Sequence, residues 1–182
     1  MDLETKKFLE GTHTKYGAEM YGDFVTSVER AMGEIDKNWR NYNCLIIAGS
    51  HNPKNTDFLI GKIKEARETG RPYYGECFGF QLSFIEYARN VIGIRDATSE
   101  EFGEKGTFVV RKRREGLNVG LHNGESYWNN YQVDSYLAEQ WEIPQNFFIA
   151  QYHASYQSTI GKPHKLIKSF IKYAKKFNRR NV

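Results

Sequence analysis

Cysteine is nearly absent from this chain. Its 182 residues hold Cys44 and Cys77 only, far apart in sequence. That excludes a disulfide scaffold and makes reducing cytoplasm the simplest compartment. No apolar run approaches the length of a membrane span, and Met1-Asp2-Leu3-Glu4-Thr5-Lys6 carries no signal-peptide core, so no membrane role is expected. No cysteine–histidine spacing resembles a zinc site; His13 and His122 read as polar loop residues, and neither metal nor cofactor is expected. The net charge of +4 is too small to imply a polyanion partner by itself. Two basic stretches, Arg111 to Arg114 and Lys172 to Arg180, lack a stacking-aromatic motif, so nucleic acid is not expected. They read as the solvated tip of a hairpin and the wet face of a last helix. Internal repeats, low-complexity tracts and linkers are missing too, and residues 1–182 are expected to form one domain.

What remains is an alternation of helical and strand-like segments. Residues 1–22 are polar and glycine-punctuated, with little periodicity. Phe24, Val28, Ala31, Met32 and Ile35 recur at helical spacing. Cys44 to Ala48 is a continuous apolar run ending at Gly49, which suits a buried parallel strand and makes Cys44 a core residue. Leu59, Ile63 and Ala66 mark a helix stopped by Gly70 and Pro72. A short strand follows, then a helix carrying Leu82, Ile85, Ala88 and Val91. Thr107 to Val110 and Leu117 to Leu121 read as paired antiparallel strands, with another strand over Tyr127 to Val133. Phe147 to Tyr152 is a strand delivering His153, and Leu166, Phe170, Ala174 and Phe177 define a closing helix. This order predicts a three-layer α/β domain with a central, mostly parallel sheet and a small antiparallel insertion. Its active site belongs at the carboxyl ends of the strands, where Gly49, Cys77 and His153 all fall.

The segment Gly75-Glu76-Cys77-Phe78-Gly79 carries the chemistry. A tight strand-to-helix corner pushes its central side chain outward, and the flanking glycines leave room for it. A cysteine there sits at a helix N-terminus, whose exposed N–H groups favour thiolate. A buried structural cysteine in a strand–helix turn is the alternative. The histidine at the end of a late strand favours a nucleophilic thiol.

Several stretches together resemble the class I glutamine amidotransferase domain, in particular the glutaminase half of CTP synthase. They are Gly61 to Glu68, Pro72 to Gln81, Ile85 to Val91, Asp96 to Phe102, Tyr131 to Asp134 and Gln151 to His153. The resemblance implies a flavodoxin-like fold. It implies that Cys77 attacks the carboxamide of glutamine to leave a thioester, and that His153 acts as the base. Backbone N–H groups of Gly49 and Phe78 would form the oxyanion hole, and Glu101 would bind the substrate ammonium. Gln81, Asn130 and Tyr131 fall beside the substrate. A synthase subunit consuming the ammonia is an implied partner; no synthase domain is read within these residues.

Departures from the family pattern narrow the expectation. The family's triad ends His-Pro-Glu, whereas this chain reads His153-Ala154-Ser155, so Ser155 and the unusual Glu76, which faces either the sulfur or His153, are the candidates for a replacement orienting group, with a Cys–His dyad the alternative. Asn130 stands where the family has an arginine that grips the substrate α-carboxylate. The oxyanion loop reads Gly49-Ser50-His51-Asn52 rather than Gly-Gly-Phe-Gly, and the stretch before Cys44 is expected to lack a strand. His51 is a pocket residue or an exposed loop residue. Trp128 and Tyr127 wall the pocket or pack elsewhere. The expected substrate is an amine-bearing carboxamide without glutamine's free α-carboxylate. The alternative is a degraded pseudo-amidotransferase that binds a ligand or partner protein.

Overall fold

A computed structural model describes residues 17–103, 105–159 and 161–180. His13 and the rest of the first sixteen residues lie outside them. The elements in order of sequence are β1 (Glu19–Tyr21), α1 (Val25–Ile35), β2 (Leu45–Ile47), α2 (Thr56–Thr69), β3 (Tyr73–Glu76) and α3 (Phe78–Tyr87). Then follow β4 (Ala97–Ser99), β5 (Thr107–Lys112), β6 (Asn118–His122), β7 (Glu125–Asn129), β8 (Tyr131–Val133), α4 (Ser135–Glu139), β9 (Phe147–Ala150), α5 (Ala154–Gln157) and α6 (Lys165–Arg180).

The central sheet has the order β1-β2-β3-β9, and every neighbouring pair is parallel. Its strands are buried on both faces, which explains why Cys44 to Ala48 reads as an unbroken apolar run. Successive side chains alternate between two cores. Leu45, Ile47 and Tyr73 pack with α2 and α3, through Leu59, Ile63, Phe78 and Leu82. Ile46 and Tyr74 pack with α1 and α6, through Val28, Met32, Phe170 and Ala174. The expected three-layer α/β architecture is therefore present. Helix α3 lies so close to β2 that a Cβ at Gly79 would stand 2.2 Å from the Ile47 carbonyl oxygen. Arg67 of α2 clamps α3 by a bidentate pair with the buried Glu86, donating from Nη2 to Oε1 at 2.8 Å and from Nε to Oε2 at 3.0 Å.

Several expectations need correction. A strand does precede the first helix: β1 pairs with β2 from Glu19↔Leu45 to Tyr21↔Ile47. It escapes detection because it is three residues long and carries a charged Glu19, which Arg71 neutralises at 2.5 Å. Strand β5 does not pair with β6. It joins β4 in parallel and β8 in antiparallel fashion, while β6 pairs with β7 in a separate two-stranded hairpin. The stretch from Tyr127 to Val133 is thus the end of β7 and all of β8, divided between two sheets. Arg111 and Lys112 lie within β5 rather than at a hairpin tip. Val91 is exposed, because α3 ends in a π-helical turn over Ala88–Ile92 that rotates it off the core face. Strand β9 stops at Ala150, three residues before His153.

Candidate active site

All four parallel strands end at one edge, and the loops there converge. Cys77 follows β3 with φ 51° and ψ −99°, a strained backbone for a non-glycine residue. Its N–H donates to the Ala150 carbonyl at 2.9 Å, which ties the corner to the end of β9. The glycines on either side are sterically required. A Cβ at Gly75 would stand 2.6 Å from the Tyr73 hydroxyl, and Gly79 is held as described. His153 caps the short helix α5 and is 1% exposed. Its Nε2 lies 3.4 Å from the Trp128 carbonyl oxygen, toward which the Cys77 thiol donates at 3.7 Å. Sulfur and imidazole thus share one carbonyl of β7 between them.

Glu76 completes the group from behind. It is fully buried and accepts from Tyr74 Oη at 2.7 Å, Ser155 Oγ at 2.6 Å and the Ser155 N–H at 3.2 Å. Its Oε1 stands 3.8 Å from His153 Nδ1, an atom that is itself buried without a hydrogen bond. Burial pulls the His153 pKa down, but Cys77 and Glu76 beside the ring outweigh it and push it up to about 10. Tyr156 stacks flat on the imidazole, with centroids 4.6 Å apart. Asp134 and Glu125 are elsewhere: the first caps α4 through the Leu137 N–H, and the second meets His164 at 3.1 Å.

The loop that begins at Gly49 packs against the ring. A Cβ at Gly49 would come within 2.7 Å of His153 Cε1 and 3.2 Å of Phe24, so no larger residue fits there. Its carbonyl accepts from the Asp23 and Phe24 N–H groups, and Ser50 Oγ donates to Asp23 Oδ2 at 2.5 Å. Phe78 opens α3, whose first-turn N–H groups lack intrahelical acceptors.

A cavity of about 310 Å³ opens over the thiol, lined by Cys77, Phe78, Gln81, Glu101, Asn130 and Tyr131 among others. Ser50, His51, Trp128 and Leu117 close its other side. Among the described residues lining it, Glu101 is the one carboxylate, and there is no lysine or arginine. Burial pushes the Glu101 pKa up to about 7. Every predicted site residue except His153, Gly49, Ser155 and Glu76 lines this cavity, and those four are grouped around the His153 ring. Trp128 and His51 are pocket residues, their rings 5.1 Å apart, whereas Tyr127 packs on Tyr152 and His122. Gln151 was missed as a site residue. Its Nε2 points to Cys77 Sγ at 3.8 Å, and its Oε1 accepts from Gln81 at 3.4 Å. The signal was its place two residues before His153.

Residues 14–173 match the family model for glutamine amidotransferase class-I. The protein belongs to this family. It is 40% identical to the CTP synthase of Methanoregula boonei over 95 residues, which is 52% of this chain and 18% of that protein. It is 25% identical to the CTP synthase of Ruminiclostridium cellulolyticum over 200 aligned positions, covering 83% of this chain and 38% of the other. These residues therefore span well under half the length of these CTP synthases. A solved glutaminase domain of Trypanosoma brucei CTPS with bound acivicin superposes with a TM-score of 0.69 at 20% identity. That alignment covers 87% of this chain and 93% of the other, and supports the α/β fold of the family. No helix among the described residues is long and apolar enough to cross a membrane.

Proposed function

We propose that the protein acts as one domain, a thiol-dependent amidohydrolase of the glutamine amidotransferase type, with a rebuilt triad of Cys77, His153 and Glu76. The observation that carries this reading is the buried Glu76 carboxylate, 3.8 Å from His153 Nδ1 and fixed by Ser155 and Tyr74. Sulfur attacks the carboxamide carbon, and the carbonyl oxygen takes negative charge toward the N–H groups of Gly49 and Phe78. His153 holds the proton and gives it to the departing ammonia, leaving a thioester on Cys77. A water then loses a proton to His153, attacks the thioester carbon and releases a carboxylic acid. Glu76 is a positioning residue: it orients the ring and offsets the imidazolium charge, the task that an acid two residues after the histidine performs elsewhere in the family. Ser155, at that place here, holds Glu76 instead. The substrate is glutamine or a related carboxamide, and a synthase that takes up the ammonia is the partner this chemistry would serve.

The pseudo-amidotransferase reading draws on one observation, the Trp128 carbonyl that caps both Cys77 and His153. Alkylation separates the two readings. Iodoacetamide at neutral pH is expected to label Cys77 fast and selectively over the core residue Cys44, whose thiol burial pushes up to about 12. Cys77→Ala is expected to abolish ammonia release from carboxamides. Labelling no faster than that of an ordinary thiol, with no Cys77-dependent turnover, would leave only the binding role.

A further inference from the structure

The cavity has a lopsided charge pattern. Glu101 is half-buried in it and needs a cation, yet among the described residues lining the cavity no lysine or arginine is present to meet a free carboxylate. Asn130 lines the same cavity, and its amide can donate and accept but carries no charge. A group that matches such an amide is another amide. The α-carboxylate of free glutamine would find no lysine or arginine among the described residues lining this cavity.

The outer wall adds a second, independent observation. Leu117 and Trp128 line the cavity, and the β6–β7 hairpin continues the same apolar face away from it. Trp128 lies directly opposite Val119 in the hairpin, and Leu121 follows two residues on, opposite Ser126. These side chains are 52%, 56%, 71% and 42% exposed for Leu117, Val119, Leu121 and Trp128. An apolar stripe of this kind, joined to a reaction cavity, fits a substrate that extends beyond it.

We infer that the substrate is the N-terminal glutaminyl residue of a peptide, with its free amine on Glu101, its first peptide bond on Asn130 and the apolar residues that follow along the β6–β7 stripe. The inference rests on the thiol hydrolase reading. The chemistry balances without a co-reactant besides water. The Cδ–Nε2 bond of the glutaminyl carboxamide breaks, a C–S bond forms and is then hydrolysed, and the products are an N-terminal glutamyl peptide and ammonium. The peptide bond itself is untouched.

The test compares ammonia release from H-Gln-Leu-Leu-NH2, H-Gln-Gly-Gly-NH2, N-acetyl-Gln-Leu-Leu-NH2 and free L-glutamine, with Cys77→Ala as the blank. The free-amine leucyl peptide is expected to exceed glutamine and the acetylated peptide in kcat/KM by at least about tenfold each, since each competitor leaves a buried group unmatched. Leu121→Asn with Val119→Asn, both at exposed positions, is expected to erase the kcat/KM advantage of the leucyl over the glycyl peptide. Asn130→Arg is expected to shift preference toward glutamine. Equal or better turnover of free glutamine, or indifference to acetylation, overturns the substrate assignment while the thiol reading stands. Fast Cys77 alkylation with no turnover of any peptide also overturns it alone. Absence of both labelling and turnover removes the two together.

Discussion

Glu76→Gln removes one charge from the centre of the site with little change in shape. At 3.8 Å from His153 Nδ1, a unit charge interacts by about 4 kcal/mol at an effective dielectric of about 20. The parent carboxylate was itself desolvated, which cancels part of this, so a net loss of about 2–3 kcal/mol in the transition state is expected. That is about a hundredfold in kcat/KM, below the roughly ten-thousandfold of a serine triad because a thiol needs less help. The amide also offers one acceptor where Tyr74 and the two Ser155 donors need more, costing about 1–3 kcal/mol of stability. A pH profile separates the two effects. His153 is raised from 6.5 to about 10, so the proton it must hand to ammonia is present up to that pH and lost above it. The same sign governs folding: the stabilisation is complete below pH 6.5 and fades as pH rises toward 10. Glu76→Gln is therefore expected to lower kcat about a hundredfold and to move the alkaline limb to lower pH, with Glu76→Asp restoring part of both. A variant with an unmoved limb and a rate within about threefold of the parent, roughly 0.7 kcal/mol, would refute the positioning role.

The remaining predictions concern substrate affinity and stability. Because burial raises the Glu101 pKa to about 7, KM for an amine-bearing substrate is expected to rise as pH falls below 7, and Glu101→Gln to flatten that dependence while raising KM throughout; a titration of KM from about pH 5.5 to 8 checks it. Arg67→Ala strands the Glu86 carboxylate, which is 1% exposed, and is expected to lower unfolding free energy by about 3–5 kcal/mol in urea melts. Arg67→Met with Glu86→Leu is expected to recover most of that loss.

The legible parts of this molecule were those where one physical signal dominated. The run Cys44 to Ala48 and the Gly75–Gly79 corner announced a doubly buried strand and an elbow, and β2, β3 and α3 stand there. Pairing in the second half was not legible. Strands β4 to β8 are three to six residues long and mostly exposed or half-buried, so neither alternation nor apolarity distinguishes a β5–β6 hairpin from the observed β6–β7 pair. Glu76 could be singled out as unusual from its neighbours in sequence, but its direction could not. Gln151 and the Trp128 carbonyl were invisible for another reason: both act through contacts about fifty or more residues away.

The direction of Glu76 follows from strand geometry once β3 is known. Residues two apart share a face, so Tyr74 and Glu76 both point into the layer of α1, α5 and α6, and Tyr74 Oη reaches the carboxylate at 2.7 Å. His153 and Ser155 enter that layer at the start of α5. Cys77, one residue later, leaves the strand with positive φ and turns its sulfur over the edge instead. An acid immediately before the nucleophile therefore cannot face the sulfur without breaking the strand, yet it meets the histidine from its far side. Here the acid one residue before the cysteine comes to 3.8 Å from the ring Nδ1, while Ser155, two residues after the histidine, reaches the same carboxylate from α5. Serine at position 155 fits this arrangement: its hydroxyl, 2.6 Å from Glu76, holds the carboxylate that the proposed triad uses.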